Sequence, residues 1–488
     1  MNAARLGIRS HAFIAGTFVA AADGRTFEAV SPRDGTVIAA VARGGAEDID
    51  RAVRAARASF ERGAWALSDP AERKRALLAL ARLIEEHSEE LAQLESIDTG
   101  HPISDARSVD VPGAARCFAY YGEAVDKVYG EIAPTSADEL ALISREPLGV
   151  VGAVVPWNYP LIITAWKLAP ALAAGNSVVL KPAEQSPLSA LALAELAAEA
   201  GIPEGVLNVV PGYGEEAGQA LGRHPDVDKI SFTGSVAVGR RFQCYAGESN
   251  GKAVSLELGG KSPQIVLADA SDLEAAASAI AWGIFYNAGQ TCHAGSRLIV
   301  QAPVHDELIE RLQAQARQFV PADPTLDSTV LGAMISDEHL RGVIGHVQRA
   351  RDDGAHVLSG GDRSEPVAGG AYMPPTLIEA QDAGLPIVQE EVFGPVLVIQ
   401  TARDIEHALA LANDTRYGLA AAVWTSDIAT AGRFARQLRA GTVWVNTFDA
   451  SSLATPFGGF KASGHGRERS LHALEAYTQL KTTWISWT

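Results

Sequence analysis

Between residues 148 and 300, short apolar runs alternate with longer segments of helical period, and this alternation constrains the chain more than any other feature. A strand that returns to its sheet through a helix does so as a parallel neighbour, so the pattern predicts an α/β fold with a doubly wound parallel sheet. The strand candidates are Val150 to Val155, Ser177 to Leu180, Val206 to Val210, Lys229 to Phe232, Val254 to Leu258, Gln264 to Leu267 and Arg297 to Val300. Pro187 to Ala200 sets leucines at 188, 191, 193 and 196 among alanines, a helix that Gly201-Ile202-Pro203 ends. Leu148 to Trp166 carries no charge and on length alone could span a bilayer. Pro156, Asn158 and Pro160 interrupt it, so it reads as strand, loop and helix in a soluble chain.

A second α/β series follows: helices near His305 to Phe319, Asp337 to Asp352 and Ile405 to Ala412, and strand runs Pro395 to Gln400 and Thr442 to Asn446. A length of 488 residues accommodates two or three folded units. Lys127 to Arg145 and Leu480 to Trp487 read as strands with apolar edges that a second subunit must cover, which predicts a homo-oligomer, a dimer or a tetramer. With 41 Lys and Arg against 58 Asp and Glu, the net charge of −17 and the lack of a basic patch argue against nucleic acid or membrane as partner. The cysteines, Cys117, Cys244 and Cys292, form no C-x-x-C pair, which argues against a disulfide framework or a zinc site, and no metal is expected. Met1 to Gly16 lacks the pattern of a secretory signal, so a cytoplasmic location is expected.

Chemistry enters at Cys292, which follows Asn287-Ala288-Gly289-Gln290-Thr291 and stands outside any apolar helix face. Only a thiolate attacks a carbonyl well, so a nucleophilic cysteine needs an electropositive setting; an isolated cysteine is more often inert and buried, as Cys117 and Cys244 are expected to be. Glu257 lies between leucines at the end of a strand candidate, where burial would make it a base for water at neutral pH. The alternative is a structural ion pair with Lys261. Asn158, in Pro156-Trp157-Asn158-Tyr159-Pro160, offers an amide donor to a developing oxyanion, or simply forms a turn.

Gly212-x-Gly214 with Gly218 only imitates the dinucleotide fingerprint, because its third glycine is one residue too far. Phe232-Thr233-Gly234-Ser235 is better placed: it follows a strand and opens a helix whose N–H groups and Ser235 hydroxyl can receive a pyrophosphate. Lys181-Pro182-Ala183-Glu184 ends another strand, where Glu184 could take ribose hydroxyls and repel the extra phosphate of NADP.

Taken together and in order, Pro156-Trp157-Asn158-Tyr159-Pro160, Lys181-Pro182-Ala183-Glu184, Phe232-Thr233-Gly234-Ser235, Glu257-Leu258-Gly259-Gly260-Lys261, Gly289-Gln290-Thr291-Cys292, Glu390-Glu391-Val392-Phe393-Gly394-Pro395 and Pro456-Phe457-Gly458-Gly459-Phe460-Lys461 make the chain resemble the aldehyde dehydrogenase superfamily. The resemblance implies a Rossmann-type NAD-binding domain from 1–126 and 148–258, a catalytic domain from 259–446, and a small β oligomerisation element from 127–147 and 470–488. It implies Cys292 as the nucleophile that forms a thiohemiacetal, Asn158 with the Cys292 N–H as oxyanion hole, and Glu257 as the base that hydrolyses the thioester, with Lys167 and Glu468 relaying protons. It also implies NAD, with NADP possible, held by Trp157, Lys181, Glu184, Gly234, Ser235, Glu391 and Phe393.

Phe60-Glu61-Arg62-Gly63-x-Trp65, Asp126-Lys127-Val128-Tyr129-Gly130-Glu131 and Ser470-Leu471-His472-Ala473-Leu474-Glu475 are similar to the bacterial gamma-glutamyl-gamma-aminobutyraldehyde and 4-guanidinobutyraldehyde dehydrogenases of polyamine and arginine catabolism. That resemblance implies an ω-amino, gamma-glutamylamino or guanidino aldehyde, with Asp110 pairing with its cationic tail at the channel mouth, or Asp449 compensating because Gly113 stands where a second acid is usual. Tyr159, Trp166, Tyr286 and Phe457 would line the tunnel. The rival readings are a broad aliphatic or betaine aldehyde dehydrogenase, a coenzyme-A-acylating enzyme, which usually lacks the base at Glu257, and a non-catalytic structural protein on the same fold.

Overall fold

The computed structural model describes residues 7–487. Residues 1–6 of the expected first segment and Thr488 of the expected last one lie outside the described residues. In chain order the strands are β1 Ala12–Ile14, β2 Thr17–Val19, β3 Thr26–Val30, β4 Val37–Ala42, β5 Glu131–Ala133, β6 Glu139–Pro147, β7 Val150–Val154, β8 Ser177–Lys181, β9 Leu207–Val209, β10 Lys229–Gly234, β11 Ala253–Leu258, β12 Pro263–Val266, β13 Arg297–Gln301, β14 His356–Ser359, β15 Thr376–Glu379, β16 Val396–Ala402, β17 Ala420–Trp424, β18 Thr442–Val445, β19 Gly464–His465 and β20 Thr478–Ser486.

The first large sheet has the order β19-β11-β10-β7-β8-β9-β1-β2. Its centre, β9-β8-β7-β10-β11, is parallel, and the strand order reverses between β7 and β10. Ligands of such sheets sit beyond the carboxyl ends of the strands at that reversal. β7, β8 and β9 are buried along their whole length, which is why they read as unbroken apolar runs. Helices Val111–Ala124, Pro160–Ala173 and Leu188–Glu199 contribute to the core on one face, and Ala46–Arg62 and Val236–Gly247 to the core on the other.

A second sheet, β14-β15-β16-β13-β12-β17-β18, is parallel except at its β14 edge. The run of strand candidates from 148 to 300 therefore does not belong to one sheet. The chain leaves the first sheet after β11, and Gln264 to Leu267 and Arg297 to Val300 become central strands of the second. After β18 the chain returns, and β19 pairs antiparallel with β11, setting Gly464 beside Glu257.

β20 pairs with β6 from Thr478↔Pro147 to Ser486↔Glu139, and β5 flanks β6 on its other side. The two segments read as strands thus form one small sheet, which exposes Ile132, Leu480 and Trp484. Its C-terminal part begins at Thr478 and not at 470. Ala473, Leu474 and Tyr477 are buried in the first sheet's core, and the Asn176 side chain donates to the Tyr477 carbonyl at 2.9 Å. No helix among the described residues is long and apolar enough to cross a membrane; Leu148 to Trp166 divides into β7, a loop and the helix Pro160–Ala173.

One buried cation ties the second sheet to its covering helix. Arg297, at the start of β13 and 1% exposed, donates to the carbonyls of Lys261, Leu411 and Ala412 at 3.0, 3.1 and 2.9 Å. The last two acceptors close the C-terminal turn of helix Ile405–Asn413, where carbonyls lack helical partners and a cation is favoured. Burial pulls the guanidinium down to about 10, so it stays charged at neutral pH. Arg297→Met orphans these carbonyls and should cost roughly 2–4 kcal/mol of stability, read as an earlier urea midpoint. An unchanged midpoint would refute this role.

Candidate active site

The turn that follows β7 and the loop that precedes β13 meet over the strand-order reversal of the first sheet. The first brings Trp157, Asn158 and Tyr159. The second runs through Asn287, Ala288 and Gly289, all in the left-handed region at φ 48°, 52° and 71°, and then presents Cys292. Gly289 is required there, because a Cβ on it would lie 2.0 Å from the Gly394 carbonyl oxygen. The Asn158 side chain donates to the Gln290 carbonyl at 2.8 Å, and the Asn287 side chain donates to the Asn158 carbonyl at 2.9 Å. Asn158 is therefore more than a turn former: one of its amide hydrogens is fixed, which orients the other.

Cys292 stands between two cavities. One, of about 380 Å³, is lined by Trp157, Asn158, Gly234, Ser235, Glu257, Cys292, Glu391 and Phe393. The other, of about 410 Å³, is lined by Asp105, Val109, Trp282, Tyr286, Thr291, His293, Phe448 and Asp449. Cys117, by contrast, is buried and its thiol is pushed up by that burial. Cys244 is exposed on helix Val236–Gly247.

Glu257 is 6% exposed on β11, and neither carboxylate oxygen has a hydrogen-bond partner among the described residues. Burial pushes its carboxyl well above the usual carboxylate range; the Glu468 charge adds to the rise and Lys167 opposes it. The alternative of a Glu257–Lys261 ion pair is not realised. Lys261 Nζ has no hydrogen-bond partner, and the acids whose charges act on it are Glu391 and Glu390. Lys167 instead pairs with Glu468 at 2.7 Å and bonds Ser231 at 3.2 Å, forming a buried polar chain close to Glu257.

The first cavity has the features of a dinucleotide cleft. Ser235 caps the 12-residue helix Val236–Gly247, accepting from the Val238 N–H, so further backbone donors face the cavity. A Cβ on Gly234 would meet the Phe232 ring at 2.6 Å. Glu391 accepts from the Gly260 N–H at 3.1 Å and is pushed up to about 7 by burial. Phe393, at φ 56°, packs 5.3 Å from Trp157, and His339 braces both, lying 5.3 Å from the Trp157 ring and donating to the Phe393 carbonyl at 2.8 Å. Lys181 and Glu184 pair at 2.8 Å at the carboxyl end of β8; Glu184 lines a separate cavity of about 260 Å³ beside Tyr213. The residues present fit a dinucleotide whose reactive end enters the first cavity.

Of the four aromatics expected in the tunnel, Tyr286 lines the second cavity, and Tyr159 shares a 2.7 Å hydrogen bond with its lining residue Thr291. Trp166 and Phe457 pack at 5.7 Å beneath the Arg469 guanidinium. Asp110 is not at the channel mouth. It is fully buried, and its Oδ2 is bonded to His101 Nδ1 at 2.7 Å, while the His101 ring packs against Tyr159 and Tyr286. Val109, one residue earlier, reaches the cavity, and the acids that line it are Asp105 and Asp449. Asp105, His101, His293 and His339 carried no motif signal, although His293 adjoins the candidate nucleophile.

The comparisons agree with this geometry. The sequence pattern described as the aldehyde dehydrogenase family matches residues 18–483. The chain is 52% identical to the NADP/NAD-dependent aldehyde dehydrogenase PuuC of Escherichia coli, covering 99% of this chain and 97% of that one, and 48% identical to the aminoacetaldehyde dehydrogenase of Pseudomonas aeruginosa, with the same coverage. Its structure superposes with a TM-score of 0.97 on the gamma-glutamyl-gamma-aminobutyraldehyde dehydrogenase of Burkholderia cenocepacia, 52% identical with 100% and 98% covered. An indole-3-acetaldehyde dehydrogenase complexed with NAD+ gives 0.98 at 49% identity, with 99% and 98% covered. A pattern match over nearly the whole chain, and relatives about half identical from end to end, mean that this chain belongs to the aldehyde dehydrogenase family.

Proposed function

We propose that this protein oxidises an aldehyde with an amino, gamma-glutamylamino or guanidino tail to its carboxylic acid, using NAD and accepting NADP. The observation that carries the reading is Cys292 at the junction of two cavities, with Asn158 and Glu257 on the cofactor side and acids on the other. Relatives named for aminoacetaldehyde and gamma-glutamyl-gamma-aminobutyraldehyde support the substrate class, and we assign the enzyme to polyamine or arginine breakdown in the cytoplasm.

In this reading the Cys292 sulfur adds to the carbonyl carbon, and the displaced electron pair settles on oxygen, which receives the second Asn158 amide hydrogen and the Cys292 N–H. NAD, when bound, supplies the hydride acceptor. Trp157, Gly234, Ser235, Glu391 and Phe393 hold its reactive half, and Lys181 and Glu184 its adenosine ribose. Glu257 then takes a proton from the water that attacks the thioester, and Lys167 with Glu468 carries it onward. The base at Glu257 favours water over a thiol as acceptor, which sets aside the coenzyme-A-acylating reading.

The second cavity suits a cationic tail. Burial disfavours a charged His101, yet Asp110 and Asp105 raise it overall. The cavity's lining sets Asp105 and Asp449 against His293, so acids outnumber bases on its walls. Tyr159, Trp166, Tyr286 and Phe457 supply the aromatic surface of the tunnel. The small sheet, with Ile132, Leu480 and Trp484 exposed, is the surface through which we propose a homo-oligomer forms.

Cys292→Ala should abolish turnover. Glu257→Gln should leave one burst of NADH but slow the steady state, and a normal steady-state rate would overturn its role. Because Glu257 works as the carboxylate, kcat rises with pH through its elevated pKa. Glu468→Gln removes a like charge and leaves Lys167 unopposed, so the acid limb of kcat should move to lower pH; a fixed limb contradicts the coupling. Asp105→Asn should cut kcat/KM for 4-aminobutyraldehyde and 4-guanidinobutyraldehyde about tenfold relative to butanal, whereas equal losses would leave a generalist aldehyde dehydrogenase. Leu480→Glu with Trp484→Glu should convert the oligomer to monomers in sedimentation velocity, and unchanged sedimentation removes this sheet as the interface.

A further inference from the structure

Cys292 has an imidazole at its side as well as a carboxylate across its cavity. A turn closed by the Ala294 N–H and the Thr291 carbonyl lets two consecutive side chains meet: Cys292 Sγ lies 3.8 Å from His293 Nδ1. The opposite ring nitrogen, His293 Nε2, lies 2.9 Å from Asp449 Oδ1. Thiol, imidazole and carboxylate thus stand in a line, the order that activates a nucleophile by proton transfer. Glu257, the other base in reach, makes no side-chain hydrogen bond among the described residues.

The third member of this line is held deliberately. Asn446 and Asp449 both adopt left-handed backbone, at φ 52° and 59°, which costs a non-glycine residue roughly 1–2 kcal/mol. The loop is pinned by two 2.9 Å hydrogen bonds between Asn446 and Thr425 and by the Trp444 indole donating to the Ala450 carbonyl at 2.8 Å. The rings of Trp444, Phe448 and Phe457 surround the His293 imidazole at 6.0, 6.3 and 5.6 Å. They limit water on its faces and leave its two nitrogens to Cys292 and Asp449.

We propose that His293, oriented by Asp449, is the base that removes the Cys292 thiol proton before the aldehyde is attacked. The proposal rests on Cys292 being the nucleophile. The proton passes from Sγ to Nδ1, while the Nε2–H remains bonded to Asp449, leaving a thiolate beside an imidazolium beside a carboxylate. The thiolate pair then forms the S–C bond, the carbonyl π pair moves to oxygen, and no redox change occurs at this stage. Glu257 is left free for the later attack of water, so the two half-reactions have separate bases. Burial disfavours the imidazolium, but the Asp449 charge and hydrogen bond, with smaller contributions from Cys292, outweigh it, so the ring can hold the proton taken from Sγ. The other charged or titratable groups facing this line are Arg469, packed on Phe457, and Asp105, Tyr159 and Tyr286 across the second cavity.

The test is the rate of Cys292 alkylation by iodoacetamide in the full-length enzyme without cofactor, followed from pH 5 to 10 by peptide mass spectrometry. A cysteine without such a partner reacts well only near its ordinary ionisation at about 8.5. His293→Gln should lower the alkylation rate at pH 6 about tenfold or more and restore it above pH 9, and should slow the NADH burst of the first turnover. Asp449→Asn, which keeps the imidazole, should move the profile the same way by less; it decides the matter if His293→Gln does not fold. Profiles of both variants that superimpose on the wild type overturn the proposal and leave Cys292 as nucleophile. Alkylated enzyme that still turns over would instead remove Cys292 as nucleophile, and the proposal with it.

Discussion

Two buried amide hydrogen bonds join the two large sheets beside Cys292. Asn158 comes from the loop after β7 in the first sheet; Asn287 and Gln290 come from the loop before β13 in the second. Each loop lends the other a side-chain donor for a main-chain acceptor, so neither conformation is satisfied alone. Left-handed Asn287 and Ala288 carry backbone strain that only this exchange and the tight contact at Gly289 can hold in place. The same bonds that fix the relative position of the two sheets aim the free Asn158 hydrogen and present Cys292 to both cavities. Stability and site geometry are therefore one constraint.

Electrostatics is arranged by burial before it is arranged by pairing. Glu257, Glu391 and Lys261 are all removed from water, and burial is the largest influence on each. Pairing then separates their roles. Lys167 and Glu468 satisfy each other at 2.7 Å, so that their opposing influences on Glu257 partly cancel. Glu257 itself is left without a partner, and an unpartnered buried carboxylate is costly enough to the fold that it marks a site of chemistry.

The sequence reading located elements well where burial is uniform. The wholly buried β7 and β8 leave apolar runs whose edges agree with the structure to within one residue. It could not say which sheet a strand joins: β12 is as buried as β7 and β13 nearly so, and only the turn of the chain after β11 assigns them to the second sheet. The error at Asp110 has a similar origin. One residue of shift along a helix rotates a side chain by about 100°, so Val109 faces the cavity and Asp110 faces His101 in the core. A local motif marks Cys292, Glu257 and Asn158, because each needs neighbours of fixed type to hold its backbone. Asp449 meets His293 from 156 residues along the chain, and nothing near it in sequence announces the pairing; Asp105 lies four residues from His101, yet neither stands in a recognisable motif.

The division of space around Cys292 also orders events. Cys292 lines the cavity of Ser235, Glu391 and Phe393, and its neighbours Thr291 and His293 line the cavity of Asp105 and Asp449, so the proposed cofactor and aldehyde have separate spaces. Glu257 lines the first of these cavities. That carboxylate lines the same 380 Å³ that Ser235, Glu391 and Phe393 line, so a water beside it competes with whatever these residues hold. The proposed hydrolysis therefore draws on space that the proposed cofactor also uses. Phe393 and Trp157 are held by His339 and not by the catalytic loop, so the walls of the cavity can keep their shape while its contents shift.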